Sequence, residues 1–178
     1  FRRKVSLSEI LGDSTVRRGD PLVEIGAYAL MSNHQHLIIR QLQEGGISRY
    51  MQKIFTGYTM YFNLTRKRTG PLFSGAFKSR HIVDDRYLKR AISYVLLNPV
   101  EIFEPEWKSG RGNIKYIREQ LQKYRYTSIP SFTGLNRLHE SHKIAISLKD
   151  YYDSKPSVHQ MLSEAQEYYR QSETFIMS

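Results

Sequence analysis

Two histidines one residue apart, His34 and His36 in the run MSNHQHLII, are side chains whose spacing permits chemistry. On a strand, residues i and i+2 project from one face, so two imidazoles stand side by side and can chelate one ion. The same geometry also serves two core-edge histidines bonded to backbone or carboxylate groups. A metal site needs a third ligand, and because Cys is absent from the chain it must be His, a carboxylate, an amide or water.

The stretch RYLKRAISYVLLNP offers more. At helical spacing, Leu88, Ala91, Ile92, Val95 and Leu96 make a core stripe, and Tyr87, Tyr94 and Asn98 fall within about 40° of one another at its margin. Taken alone, Tyr94 is an amphipathic aromatic at a core boundary and Asn98 a helix-end residue before Pro99. Taken with the histidine pair, a nucleophile and a third ligand become available together. His34, His36 and Asn98 would surround one ion, with Tyr94 one helical turn away.

Several elements must position these groups. LVEIGAYALM and HQHLIIRQ are β-rich runs around the turn signal SN, which predicts a hairpin whose second strand carries both histidines. Ile47, Tyr50, Met51, Ile54, Phe55, Tyr58, Tyr61 and Phe62 recur at three- and four-residue spacing and predict an amphipathic helix to about residue 65, closed by Arg66, Lys67 and Arg68 and stopped by Gly70-Pro71. LFSGAFKSRHIV alternates as a third strand. Asp84 and Asp85 open the tyrosine helix, which Pro99 ends. NIKYIREQLQKY predicts a further helix, and a short one follows Pro156; residues 1–20 read as the tail of a helix and a polar, basic loop.

The 178 residues, 40% hydrophobic, suffice for one cored domain with an appendage. Lys and Arg number 27 against 17 Asp and Glu, a formal charge of +10 that attracts polyanions. No apolar run approaches the roughly 18 residues of a membrane span, and no signal-peptide pattern opens the chain, so the expectation is a cytoplasmic protein without a membrane partner.

Three stretches, YALMSNHQHLII, RTGPLFSGAFKSR and YLKRAISYVLLNPV, follow one another in an order and spacing that resemble the REP-associated tyrosine transposases of the single-tyrosine HUH superfamily. The resemblance covers roughly residues 22–132 and includes KYRYTSIPSF after the tyrosine helix. It implies an α+β fold, a ferredoxin-like antiparallel sheet packed by helices (the HUH endonuclease fold), in a domain over residues 1–132. Residues 133–178 would form a helical C-terminal appendage. The family has a strand and most of a helix before the hairpin, where this chain has only its opening residues; that sheet edge is either lost or upstream of Phe1. Gln35 stands where the family has an apolar residue, and it faces away from the ion.

By matching position, the resemblance makes Tyr94 the nucleophile and His34, His36 and Asn98 ligands of Mg²⁺ or Mn²⁺. The implied activity is cleavage and joining of single-stranded or hairpin DNA through a 5′-phosphotyrosine, by a monomer or homodimer. Tyrosine ionises near pH 10 in water, so the phenol needs a base or a positive field. Arg66, Lys67, Arg68, Lys78, Arg80, Lys89 and Arg90 are candidate DNA contacts, since basic groups among aromatics suit backbone tracking and base stacking. Tyr87 is the rival nucleophile but lacks an Asn four residues on. A non-catalytic hairpin-binding protein on the same scaffold, and a histidine-metal hydrolase using activated water, are the competing readings.

Overall fold

The computed structural model describes residues 19–133 and 156–176. The sequence expectations for residues 1–18 lie outside them. Strands β1 (Val23–Leu30) and β2 (Gln35–Gln41) pair antiparallel, with Ile25 opposite Ile39, Ala27 opposite Ile38 and Ala29 opposite His36; the register shifts between Ile25 and Ala27. The link is longer than the two-residue turn expected. Met31 N–H donates to His34 O at 2.8 Å, which closes a loop over residues 31–34 and leaves His34 just ahead of β2 rather than within it.

Helix α1 (Gly46–Arg66) follows at once. Its first residue is glycine for a steric reason: a Cβ there would meet the Leu22 carbonyl oxygen at 2.4 Å, so α1 starts pressed against the strand entrance. The helix ends where Lys67 turns left-handed (φ 51°), its N–H returning to Asn63 O.

The third strand expected over LFSGAFKSRHIV does not form; residues 72–83 are irregular. The segment is tied to α1 instead. Asn63 donates to Gly70 O at 2.9 Å, Arg68 to Pro71 O at 3.0 Å, and Phe73 stacks on Phe55 with centroids 4.3 Å apart. The free edge of β1 is met by a later stretch: Ala29 bridges Thr127, Leu30 N–H donates to Tyr126 O at 2.8 Å, and Ser128 N–H donates to Tyr28 O at 2.9 Å. A two-stranded antiparallel sheet with helices makes this an α+β fold.

Helix α2 (Asp85–Leu97) covers one sheet face. It begins where Asp84 Oδ1 accepts from Tyr87 N–H at 2.7 Å, a cap that satisfies an otherwise orphaned donor. Ile92, Val95, Leu96 and Leu97 then sink into a core with Ala27, Ala29 and Ile38 of the sheet. Beyond Asn98 and Pro99 come the short α3 (Val100–Phe103), a 3₁₀ turn (Pro105–Ser109), α4 (Ile114–Lys123) and α5 (Ile129–Thr133).

The last helix, α6 (Val158–Ile176), is longer than the short one expected. It packs on α2 and on the 3₁₀ turn, adding Val158, Met161 and Leu162 to the same core as Trp107. Among the described residues no helix is long and apolar enough to cross a membrane.

Candidate functional site

His36 lies opposite Ala29 and two residues before the buried Ile38, on the sheet face that α2 covers. Its ring is half-buried between two aromatic neighbours. The His34 ring stands edge-on with centroids 4.9 Å apart and planes at 89°, and the Tyr94 ring stands edge-on from the other direction at 5.2 Å and 81°. Asn98, 5% exposed, supplies the polar neighbour. The four residues singled out in two distant stretches of the chain therefore meet.

Their surroundings differ in a useful way. His34 is exposed, and its Nδ1 lies 2.7 Å from Asn33 Oδ1, which fixes the ring from its loop side. His36 is held below the ordinary imidazole pKa of 6.5, first by burial and then by His34, with Glu101 and the Asn98 amide opposing the shift. Its Nε2 is buried and makes no hydrogen bond among the described residues. A neutral imidazole with an unpartnered ring nitrogen is a group that a metal ion could use, so the donor set fits a cation.

Among the described residues no three His, Cys, Asp or Glu side chains converge on one point. A cation here would have two imidazoles and, as its third protein donor, the Asn98 amide oxygen; water or phosphate oxygens would fill the rest.

Tyr94 is 46% exposed although its neighbours Val95 and Leu96 are buried. Helical spacing explains this: the phenol stands at the rim of the core stripe, open to solvent on one side and backed by His36 on the other. Asn98 N–H donates to Tyr94 O at 3.0 Å, so the helical path runs unbroken from the phenol to the amide. Tyr87 is placed differently. It is half-buried under the Arg80 guanidinium, 5.5 Å from its ring centroid.

Sequence reasoning overlooked three groups beside this cluster. Glu101, on α3, acts electrostatically on His36 and forms an ion pair with Lys108 of the 3₁₀ turn. Lys108 Nζ also lies over the Tyr169 ring of α6, 4.9 Å from its centroid. Burial works against the Lys108 charge, but Glu101, Tyr169 and Tyr94 more than offset it and hold the ammonium above the usual lysine range. Glu101 lies past Pro99, where the sequence signal ends the tyrosine helix, and Lys108 and Tyr169 reach the cluster only through tertiary packing.

The seven basic candidates spread over three elements. Arg66, Lys67 and Arg68 are exposed at the C-terminal end of α1, Lys78 and Arg80 in the irregular segment, and Lys89 and Arg90 on α2. Several already have partners. Arg66 lies 6.0 Å from the Phe62 centroid, Arg68 donates to Asn63 Oδ1 at 3.1 Å, and Arg90 lies 5.1 Å from the Tyr168 centroid. From Gly45 to Val83 the chain carries no Asp or Glu, so α1 and the segment after it present positive charge undiluted by negative.

No family model, curated protein or solved structure matches this chain.

Proposed function

We propose that this protein is a metal-dependent DNA strand-transfer enzyme that cleaves and joins single-stranded or hairpin DNA with Tyr94 as nucleophile. The observation that carries the reading is the stack at His36, whose ring contacts His34 at 4.9 Å and Tyr94 at 5.2 Å while the Asn98 amide adjoins it. A phenol beside two imidazoles and an amide suits phosphodiester chemistry, which needs charge neutralisation on the non-bridging oxygens and a nucleophile close to phosphorus.

The proposed cofactor is Mg²⁺ or Mn²⁺, held by His34, His36 and Asn98, and when bound it supplies the positive charge that polarises the scissile phosphate. The phenol oxygen of Tyr94 forms a bond to phosphorus as the bond to the 3′ oxygen breaks. The phenol proton passes to solvent, and the departing 3′ oxygen takes one up. A 5′-phosphotyrosine and a free 3′-OH result, and a second 3′-OH reverses the step to join strands. Burial keeps His36 neutral so that its lone pair faces a cation rather than a proton.

Flexible DNA suits an exposed tyrosine backed by a sheet, because a strand can bend past it where a stiff duplex cannot. The acid-free, aromatic-rich stretch from Gly45 to Val83 suits tracking of a phosphate backbone. We read the two-stranded sheet, with the helices packed on it, as part of a ferredoxin-like HUH arrangement.

Incubation with a labelled hairpin oligonucleotide and Mn²⁺ tests the reading. A covalent adduct stable to denaturation, lost with chelator and lost in Tyr94→Phe, is expected; turnover without any adduct would point instead to a hydrolase using water.

A further inference from the structure

We propose that Lys108 is a phosphate-binding side chain of the Tyr94 site, presented to the substrate by Glu101 and by Tyr169 of the C-terminal helix. This rests on the strand-transfer reading and adds to it a cation from outside the histidine cluster.

Helix geometry gives the first argument. Asn98 (φ −52°, ψ −40°) and Pro99 (φ −61°, ψ −17°) keep near-helical backbone angles, so the chain passes from α2 to α3 through one tight turn. Asn98 O accepts from Glu101 N–H at 3.2 Å, as Tyr94 O accepts from Asn98 N–H at 3.0 Å. Residues i, i+4 and i+7 share one side of a helix, so the phenol, the amide and the Glu101 carboxylate form a row. The Lys108 ammonium, paired with that carboxylate, therefore lies at the end of the Tyr94 row.

Charge gives the second. A lone carboxylate in that row would repel a polyanion, and Lys108 cancels it. Stability does not explain the pair: the two side chains are 36% and 41% exposed, and exposed ion pairs contribute on the order of 0–1 kcal/mol. A phosphodiester, whose single negative charge is shared by two non-bridging oxygens, can accept one of the three ammonium donors in a charge-assisted hydrogen bond.

Position gives the third. Lys108 follows Trp107, which is 2% exposed and anchors the 3₁₀ turn in the core. Gln166 of α6 donates to Trp107 O at 2.6 Å, the Trp107 and Tyr169 rings meet edge-on at 6.0 Å and 87°, and the ammonium sits over Tyr169 at 4.9 Å. The backbone beside Lys108 is anchored through Trp107, and its ammonium already rests between Glu101 and Tyr169, which lowers the cost of ordering it on binding. The C-terminal helix thereby becomes part of the site.

The test uses the full chain carrying Tyr94→Phe, so that no cleavage intervenes, and a fluorescent oligothymidylate as the probe. Affinity is measured across a salt series. Each phosphate neutralised on a single strand contributes about 0.7 to the slope of log affinity against log salt. Adding Lys108→Gln should lower the slope by about 0.7, and Lys108→Arg, which keeps the charge, should preserve it. A slope unchanged in Lys108→Gln, or lost equally in Lys108→Arg, would overturn the proposal while leaving the strand-transfer reading intact. Absence of binding by the parent chain both to oligothymidylate and to a hairpin oligonucleotide would sink both.

Discussion

The ring of His36 stands edge-on to the ring of Tyr94, with centroids 5.2 Å apart and planes at 81°, so strand β2 and helix α2 meet through a potential ligand and a potential nucleophile. The contact does not depend on the phenol oxygen. Tyr94→Phe should therefore keep the stack and change stability by no more than about 0.5 kcal/mol, as expected for a half-exposed position, while removing the covalent adduct. Urea denaturation and adduct yield, measured on the same protein, check both halves. A large loss of stability would mean that the phenol holds the fold rather than serving a substrate.

The His36 environment fixes the sign of a pH effect. Burial, then His34, holds its folded pKa below the ordinary 6.5. A depressed folded value means that the unfolded chain binds the proton more readily, so the stability linked to neutral His36 is present above pH 6.5 and is lost as pH falls through the folded pKa. Mn²⁺ competes with the same proton. Mn²⁺ binding should weaken as the solution is acidified; calorimetric titration across pH checks this, and binding indifferent to acid would contradict it.

Asn98 is the one proposed ligand without a titratable group, and it is 5% exposed at the end of α2. Asn98→Ala should raise the Mn²⁺ concentration for half-maximal adduct formation about 10-fold or more, the scale on which supporting groups act at metal sites, and high Mn²⁺ should recover most of the yield. An unaltered Mn²⁺ dependence would remove Asn98 from the ligand set.

The tyrosine helix depends on its first turn. Asp84 Oδ1 accepts from Tyr87 N–H at 2.7 Å, and Asp84→Ala leaves that donor to water. The expected cost is about 1 kcal/mol, read as a lower urea midpoint with an unchanged denaturant slope. A midpoint equal to the parent's would show that core packing alone sets the start of α2.

Much of this arrangement was legible in the sequence because it is local. Tyr94 and Asn98 share a face through i,i+4 spacing, and His34 and His36 fall together through i,i+2 spacing, even though His34 precedes β2. The third strand over residues 72–83 failed for a physical reason: alternation is a local signal, and the stacking of Phe73 on Phe55 at 4.3 Å outweighs it. Tyr126, Thr127 and Ser128 occupy the β1 edge through backbone hydrogen bonds that no side-chain pattern announces. Lys108 and Tyr169 escaped notice for a related reason. Their meeting depends on α6 packing across a gap in sequence of 61 residues, which periodicity cannot report.

The central claim is that Tyr94, and not another of the 13 tyrosines, takes the DNA. Protease digestion of the purified adduct followed by mass spectrometry of the nucleotide-bearing peptide tests it most directly. The expected result is a phosphonucleotide on Tyr94 in the peptide containing Ala91–Asn98, absent when His36→Ala is made. A phosphonucleotide on Tyr87, or one on Tyr94 whose yield is indifferent to His36→Ala, would contradict the account.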